Sequence, residues 1–347
     1  MPTTPQRLAP STVPDPMDAP PLRWGVLGPG GIAHTFAAAV RAGTRGEVVA
    51  VGSRSADRAS GFARRHGAAR SHGSYEALVA DDGVDAVYVA TPHSEHHEHA
   101  LLALAAGKPV LVEKAFARSL AETDEVLDAA RAAGLFAGEA MWSRYLPQYD
   151  VVRRTVEAGT VGDLVLVQAD HGQLLWPDGP QRLSDPALAG GSLLDLGVYP
   201  IAFADHLLGE LGGVAARGTL SDEGVDVSVG VTGLVGPALA RMTSTMAAAT
   251  PCQALAAGTR GRLELTGPGF FYGAATTVRL VAPDGTVLDT MQPQHPEHGF
   301  RYEIAEAARA VAEGRTEPGP VPWEATRRVM AVMDEVRRQV GVVYPGE

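Results

Sequence analysis

The glycine-rich turn after the first apolar segment is the feature that most constrains the fold of this chain. A strand-like run from Leu22 to Leu27 leads through the sequence GPGGIA, at positions 28–33, into a helix-like stretch from Thr35 to Arg41. The pattern G-x-G-x-x-A requires small residues, because they allow a tight turn, a close backbone approach to a pyrophosphate and close packing of helix on strand. An ordinary glycine loop at a helix start is the alternative. The residues predicted to contact a dinucleotide here are Gly28, Gly30, Gly31 and Ile32.

Composition and charge limit the classes of partner. The 347 residues are 45% hydrophobic, enough for about two domains of roughly 150 residues with their own cores. Lys and Arg number 29 against 40 Asp and Glu, and the net charge of −11 argues against nucleic acid or an anionic membrane surface as a partner. The one cysteine, Cys252, excludes an internal disulfide and a cysteine-rich metal site. We therefore expect a cytoplasmic protein in which Cys252 is a buried apolar residue.

The first 21 residues carry seven prolines and almost no periodicity. They lack the basic start and apolar core of a secretion signal. No uninterrupted apolar run in the chain reaches about 18 residues, the length that a transmembrane helix needs. We expect residues 1–21 to form a disordered, proline-rich tail and the chain to have no membrane-spanning helix.

Strand-like and helix-like segments alternate over residues 22–140. The further strands expected are Glu47 to Ser53, Asp85 to Ala90 and Pro109 to Glu113, and the helices are Asp57 to His66, Ser94 to Ala106 and Ser119 to Ala133. Short connections between alternating elements imply right-handed crossovers and a parallel sheet with helices on both faces. The sequence therefore predicts an α/β Rossmann domain over residues 22–140.

Residues 141–347 have a different texture, with helices before and after a series of strands. The helices expected are Leu146 to Ala158, most of Gly190 to Leu208, Tyr302 to Glu313 and Trp323 to Gln339, and the strands are Asp226 to Val235, Ala238 to Met246, Arg262 to Thr266 and Thr277 to Ala282. Consecutive strands without intervening helices predict an open-faced, mostly antiparallel sheet with helices on one face, in an α+β domain. The other face needs cover, so we expect a homodimer or higher homo-oligomer through this sheet.

The end of the second predicted strand indicates which nicotinamide cofactor fits. An acidic residue there would bind the ribose hydroxyls of NAD, but this chain has Ser53, Arg54 and, one turn later, Arg58. A hydroxyl and two guanidinium groups suit a 2′-phosphate. We therefore predict that NADP(H) is preferred and NAD(H) is possible; solvated surface arginines are the alternative.

Polar residues end the next two predicted strands, at the edge of the sheet where ligands bind in open α/β folds. The residues assigned to the cofactor at this edge are Thr91, Pro92, His93, His96, Glu113 and Lys114. An ordinary charge pair at a strand end is the alternative for Glu113 and Lys114. His93, His96, His97 and His99 lie close together in sequence, but no acidic or cysteine partners stand at metal spacing, so we expect no metal.

A second group with catalytic chemistry lies in the segment GGSLLDLGVY. In a helix, Asp195 and Tyr199 are four residues apart and share a face. Carbonyl reduction needs a proton donor beside the hydride donor, and a phenol can serve when an ammonium group such as that of Lys114 lowers its pKa. A half-buried packing role for Tyr199 is the alternative.

Together these residues resemble the glucose–fructose oxidoreductase/inositol dehydrogenase (Gfo/Idh/MocA) family, and more narrowly its dimeric dihydrodiol dehydrogenase branch. The matching segments are RWGVLGPGGIA (Arg23 to Ala33), GSRSADRA (Gly52 to Ala59), ATPHSEHHEHA (Ala90 to Ala100), GKPVLVEKAF (Gly107 to Phe116), GEAMWSRYLP (Gly138 to Pro147), GGSLLDLGVY (Gly190 to Tyr199) and GTRGRLEL (Gly258 to Leu265). The resemblance implies an NAD(P)-dependent oxidoreductase with a Rossmann domain followed by an open-sheet domain used for oligomerisation.

The resemblance also assigns roles to residues. Lys114 matches the lysine of the family's Glu-Lys-Pro motif, between nicotinamide and substrate. Asp195 matches a second-domain aspartate, and Tyr199 stands where this branch has a catalytic tyrosine. Lys114, Asp195 and Tyr199 are therefore the expected catalytic residues.

The same likeness places Trp142 and Arg144 near the nicotinamide and the substrate. One departure from the family pattern is Ala115, which stands where the family has proline. Alanine disfavours a cis peptide bond by roughly 2.5–4 kcal/mol, so the placement of Lys114 depends on that bond.

The function expected from the sequence is hydride transfer between NADP(H) and a sugar, cyclic polyol, trans-dihydrodiol or dicarbonyl compound. The alternatives are an oxidoreductase that keeps its cofactor tightly bound while it acts on two sugars, and a non-catalytic NADP-binding sensor or scaffold. The sequence of the loop from Leu174 to Asp185 does not indicate which substrate is bound. Within this loop, Trp176 and Arg182 either contact the substrate or pack within a lid. The residues assigned to the substrate are Lys114, Trp142, Arg144, Trp176 and Tyr199.

Overall fold

The structure, a computed structural model, describes residues 7–347. The chain forms two compact units. The first unit comprises residues 14–142 and 298–330, and the second comprises residues 7–13, 143–297 and 331–347. The sequence placed all of residues 141–347 in the second domain, and this boundary is corrected: residues 298–330 return to the first unit.

A six-stranded parallel sheet organises the first unit and confirms the predicted Rossmann architecture. The strand order is β3-β2-β1-β4-β5-β6, so the direction of winding reverses between β1 and β4, the point at which such sheets bind ligands. The strands are β1 (Arg23–Leu27), β2 (Glu47–Gly52), β3 (Arg70–His72), β4 (Ala86–Val89), β5 (Val110–Glu113) and β6 (Ala137–Ala140).

The helices between these strands begin and end at residues that the sequence marks clearly. They are α1 (Gly31–Gly43), α2 (Ala56–His66), α3 (Tyr75–Val79), α4 (His96–Ala105) and α5 (Leu120–Ala133). The side chain of Ser119 accepts a hydrogen bond from the N–H of Glu122 and so caps α5, as its capping-box position predicts. Gly134, in the left-handed conformation, ends the same helix.

The second unit is built on an eight-stranded sheet in the order β14-β13-β12-β11-β7-β10-β9-β8. Neighbours are antiparallel except β7 and β10, which confirms the predicted mostly antiparallel sheet. The elements in chain order are α6 (Pro147–Glu157), β7 (Leu164–Gly172), α7 (Val198–Leu208), β8 (Gly212–Leu220), β9 (Asp226–Val235), β10 (Ala238–Thr245), β11 (Ala254–Gly258), β12 (Gly261–Thr266), β13 (Thr277–Val281) and β14 (Val287–Met291).

Two helices close the chain: α8 (Arg301–Ala312) and α9 (Trp323–Val340). The apolar face of α8, which includes Ile304 and Ala308, packs into the same core as Trp24 and Phe36 of the first unit. Burial of this face explains why the chain returns to the first unit after the second sheet.

The expected disordered tail is wrong for residues 7–21. The backbone N–H of Ala9 donates to Thr155 Oγ1 at 2.9 Å, and that of Thr12 donates to Asp150 Oδ2 at 2.6 Å. A 3₁₀ turn, Pro16–Asp18, follows and is capped by Asp15. Side chains of α6 thus satisfy backbone groups that a proline-rich segment cannot pair within itself. Residues 1–6 of the predicted tail lie outside the described residues.

One segment, Pro186–Leu208, is long and apolar enough to cross a membrane, with a mean hydropathy of 1.4. In the structure 89% of this window is buried. The segment therefore serves as the core of the second unit.

Candidate active site

The glycine-rich turn leaves the start of α1 open. Gly28 has a φ of +93°, and a Cβ there would lie 2.8 Å from the Cγ2 of Thr91 at the end of β4, so a larger residue is excluded. Gly30 is the N-cap of α1 and offers no side-chain oxygen to its first N–H groups. Ala33 is fully buried, as the motif requires. The turn thus presents unpaired backbone donors that fit the pyrophosphate of a dinucleotide.

The end of β2 presents two guanidinium groups. Ser53 is buried, and its hydroxyl accepts a hydrogen bond from the N–H of Ser55. Ser55 is itself the N-cap residue of α2. Arg54 and Arg58 are exposed, and within residues 7–347 neither forms an ion pair. Their donors are therefore available to bind a phosphate group.

The loops after β4 and β5 are tied together by His96. Its Nδ1 lies 2.8 Å from the carbonyl oxygen of Ala115, and its Nε2 lies 2.9 Å from that of Thr91. Burial lowers the pKa of His96 to about 4. The imidazole is thus neutral and has one N–H for the two carbonyls.

Lys114 lies on the loop that His96 holds. It is half-buried, and the peptide bond between Lys114 and Ala115 is cis. The predicted ligand edge therefore brings the glycine turn, the Thr91 loop and Lys114 to the carboxyl ends of neighbouring parallel strands, β1, β4 and β5.

Glu113 points into the interior of the first unit. Its carboxylate accepts a hydrogen bond from the hydroxyl of Tyr88, and it lies near two further buried carboxyl groups, Glu139 and Glu303. Burial and the negative potential of Glu113 and Glu139 raise the pKa of Glu303 well above its usual range. The assignment of Glu113 to the cofactor remains a prediction that these contacts do not support.

The four histidines that are close in sequence have different partners in the structure. His97 Nε2 contacts Glu125 at 2.8 Å, while His99 Nδ1 lies 3.0 Å from Thr91 Oγ1. His93 is buried with its ring edge-on to that of His96, after the N-cap Pro92. Among residues 7–347 there is no group of three or more His, Cys, Asp or Glu side chains arranged to hold a metal ion.

In the second unit, Asp195 lies on a π-helical turn, Leu193–Gly197, that leads directly into α7 and Tyr199. The predicted helix thus begins only at Leu193. Arg182 Nη1 lies 3.1 Å from one carboxylate oxygen of Asp195, and its Nη2 lies 3.4 Å from the other. Arg182 is therefore a partner of the predicted catalytic aspartate.

Asp226 anchors this π-helical turn, and sequence reasoning missed it. Its Oδ2 accepts hydrogen bonds from the N–H of Leu193 at 2.6 Å and from the hydroxyl of Ser192 at 2.8 Å. Gly191 has a φ of +116°, and a Cβ there would come within 2.2 Å of the Asp226 Oδ1. Burial raises the pKa of Asp226 to about 6. The absence of a side chain at Gly191 thus makes room for a buried carboxyl group.

Aromatic side chains surround Tyr199. The ring of Tyr272 is stacked on that of Tyr199, with centroids 3.8 Å apart and planes 10° apart. The hydroxyl of Tyr272 lies 3.0 Å from His171 Nε2. Neither His171 nor Tyr272 stands at a motif spacing from Tyr199, so only the fold reveals them.

The remaining predicted site residues occupy different surroundings. Trp142 stacks on Phe300 in the first unit, with centroids 5.2 Å apart. Arg144 is buried against Asp205 in the second unit, where its Nη1 lies 2.9 Å from the carboxylate. Trp176 packs on the apolar cluster that includes Leu183. Contacts of these three residues with cofactor or substrate remain predictions.

Two family models match the chain. The model for the GFO/IDH/MocA oxidoreductase family with an NAD-binding Rossmann fold matches residues 22–140, and the model for the GFO/IDH/MocA C-terminal domain matches residues 149–264. Both matches fall where the sequence placed the resemblance.

Individual relatives match over nearly their whole length. A trans-1,2-dihydrobenzene-1,2-diol dehydrogenase from Danio rerio is 37% identical over 93% of this chain and 98% of its own. An NADP⁺-dependent D-xylose 1-dehydrogenase from Hypocrea jecorina is 34% identical over 93% of each chain. The solved structure of KijD10, a 3-ketoreductase from Actinomadura kijaniata in complex with NADP and TDP-benzene, is 30% identical over 92% of this chain and 98% of its own, with a TM-score of 0.80.

The elevated pKa of Asp226 makes a prediction for stability. Its folded-state pKa of about 6 exceeds the ordinary aspartate value of 3.8, so the free energy of unfolding falls as the pH rises from about 4 to 6. Above that range the penalty is on the order of 3 kcal/mol. Asp226→Asn keeps an acceptor for Ser192 and Leu193 without the charge. We expect the variant to gain stability relative to wild type as the pH rises from 4.5 to 8, measured by urea unfolding.

The exposed Asp222 supplies the control, since Asp222→Asn removes a carboxylate from the neighbouring loop without removing a buried charge. A difference between Asp226→Asn and wild type that stays constant over this pH range would contradict the assignment.

Proposed function

Because the chain belongs to the GFO/IDH/MocA oxidoreductase family, we propose that it is an NADP(H)-dependent dehydrogenase or reductase. Its proposed substrate is a sugar, cyclic polyol, trans-dihydrodiol or dicarbonyl compound, oxidised or reduced at one carbon. Relatives named for a trans-diol and for xylose support this substrate class. The NADP complex of the 3-ketoreductase supports the choice of cofactor.

The observation that carries the proposal is the combination, in the first unit, of an uncapped helix start with two unengaged guanidinium groups. The first turn of α1 offers backbone N–H groups to a pyrophosphate. Arg54 and Arg58, both exposed, offer planar forks of donors to a third phosphate. Neither residue is the acidic group that would favour NAD.

The chemistry proposed for the site divides between cofactor and protein. NADP, when bound, supplies the hydride acceptor or donor. As the substrate carbon is oxidised, Tyr199 in its phenolate form takes the hydroxyl proton, and in the reductive direction its phenol form returns that proton. Lys114, on the loop after β5, is proposed as a further catalytic residue.

Asp195 is proposed to orient the substrate through its carboxylate oxygens. Both oxygens contact the guanidinium of Arg182. A substrate hydroxyl that donates to Asp195 would therefore bind a carboxylate that already accepts from Arg182. Arg182 keeps further N–H donors for substrate oxygens. This pairing is the reason for including Arg182, with Trp176, among the residues proposed to shape specificity.

The sheet of the second unit supports a proposal about assembly. One face carries exposed apolar side chains on adjacent antiparallel strands: Leu234 and Leu239 are directly opposite each other and are 49% and 39% exposed. We propose that a second copy of the chain covers this face in a homodimer or higher homo-oligomer. The single, buried Cys252 is consistent with a cytoplasmic location, which we also propose.

Cofactor preference is tested by Arg54→Asp. Loss of one charged hydrogen-bonding partner of a phosphate should weaken NADPH binding about 10- to 100-fold and leave NADH binding unchanged or stronger. Fluorescence titration with each nucleotide measures both constants. Arg64→Asp, near the other end of α2, is the control. Equal NADPH affinity in Arg54→Asp and wild type would remove Arg54 from the site.

Turnover is tested with Tyr199→Phe, after the wild type has been screened against sugars, inositols and trans-diols. Loss of the proton-transferring hydroxyl should lower kcat about 10²- to 10⁴-fold and leave NADPH affinity unchanged. Tyr149→Phe, at a buried tyrosine of α6, is the matched control. Full turnover by Tyr199→Phe would overturn the proton role. NADPH binding by the wild type without any turnover would favour a sensor or scaffold.

Assembly is tested by Leu234→Glu together with Leu239→Glu. Four buried charges per dimer should abolish association, so light scattering at micromolar concentration should give the mass of one chain. Val343→Glu, at an exposed apolar residue near the C-terminus, should keep the wild-type mass. A wild-type mass equal to one chain would refute the oligomer.

A further inference from the structure

His171 links the two predicted catalytic residues of the second unit. On one side its Nδ1 lies 3.0 Å from the carbonyl oxygen of Leu196, which adjoins Asp195 on the π-helical turn. On the other side its Nε2 lies 3.0 Å from the hydroxyl of Tyr272, whose ring is stacked on Tyr199. One imidazole thus contacts the backbone next to Asp195 and the residue that packs on Tyr199.

The hydrogen bonds fix the tautomer of His171. A carbonyl oxygen only accepts, so Nδ1 carries the proton and donates it to Leu196. In the neutral imidazole Nε2 is then an acceptor with a single lone pair, which two donors share: the Tyr272 hydroxyl at 3.0 Å and the side-chain amide of Gln173 at 2.8 Å. His171 is 1% exposed, so water does not compete for these contacts.

Tyr272 is held on several sides. Its ring is parallel to those of both Tyr199 and Phe270, at centroid distances of 3.8 and 5.0 Å, and Phe271 meets it edge-on. Burial and the nearby Asp195 raise the pKa of Tyr272. Its phenol therefore stays protonated and donates to His171, and Tyr272 is unsuited to exchange a proton with substrate.

We infer that Tyr272 and His171 form a positioning pair that sets the ring plane of Tyr199 and, through Leu196, the position of Asp195. The inference rests on the proposed role of Tyr199. It assigns a function to two residues from β7 and from the segment after β12, far from Tyr199 in sequence. A stacked ring restricts tilting of the tyrosine, and a small misplacement of a proton-transfer group costs much of the rate.

The inference is tested by removing the stacked ring and the hydrogen bond separately. Tyr272→Leu removes both and should lower kcat about 10- to 100-fold with unchanged NADPH affinity. Tyr272→Phe keeps the ring and loses only the bond to His171, so it should lower kcat less. Thermal unfolding of each variant checks that the fold is intact.

A double-mutant cycle separates positioning from a general structural effect. If Tyr272 acts through Tyr199, Tyr272→Leu should cause little further loss of kcat once Tyr199→Phe is present. Independent, multiplicative losses in the double variant would overturn the inference, because they would show that Tyr272 affects the reaction by another route.

A readout without turnover distinguishes failure of the inference from failure of the proposed function. In protein labelled with ¹³C at the tyrosine rings, the resonance that disappears in Tyr199→Phe identifies Tyr199. Its ring-current shift should be present in wild type, retained in Tyr272→Phe and lost in Tyr272→Leu. An unchanged Tyr199 resonance in Tyr272→Leu would refute the positioning pair, whether or not the wild type turns over any substrate.

Discussion

The close packing of Gly28 against the end of β4 determines how the loops at the ligand-binding edge of the first sheet are arranged. Thr91 Cγ2 and the carbonyl of Ala90 occupy the space that a side chain at position 28 would need. The turn therefore packs directly against the neighbouring strand, at the point where the winding of the sheet reverses. From this contact follow the exposed start of α1 and the nearness of the Thr91 loop, which His96 joins to the loop of Lys114.

In the second unit, too, a glycine allows another group to come close to the backbone. At Gly191 the missing side chain makes room for the carboxyl group of Asp226, which binds the backbone where the π-helical turn begins. π-Helical turns are energetically unfavourable and often occur at functional sites. Here a buried carboxyl at one end and His171 at Leu196 hold the turn. In both units glycine is required because a polar or backbone group must come close.

Much of the fold follows from local sequence. The strands that the sequence predicts in both sheets and the capped helix α5 lie within a few residues of their predicted bounds, because burial and capping are encoded locally. β3, with the sequence RSH, and β8, with three glycines, were not predicted, since neither carries an apolar alternation. Their strand conformation comes from pairing with β2 and β9. The return of α8 to the first unit depends on which core its apolar face fits, and periodicity alone does not encode this.

The candidate site divides in the same way. Lys114 and Tyr199 stand within motifs and can be proposed from the sequence, whereas Asp226, His171 and Tyr272 are brought to their partners by contacts between distant segments. Arg144 combines the two situations. The sequence motif predicts a site residue at this position, but the structure shows its guanidinium paired with the buried Asp205.

The buried carboxyl group of Glu303 gives the first unit a property that a count of charges misses. Within the described chain neither of its oxygens has a hydrogen-bond partner, and burial, together with the negative potential of Glu113 and Glu139, raises its pKa well above that of a solvated glutamate. The formal charge of −11 counts this group as an anion, so the folded protein is less negative than a count of its residues suggests wherever Glu303 keeps its proton. Folding of the first unit therefore takes up a proton from solution at pH values between the usual and the raised pKa of this carboxyl group, and unfolding returns it. The buffer in which this protein is unfolded thus contributes its own heat of ionisation to the enthalpy that a calorimeter records.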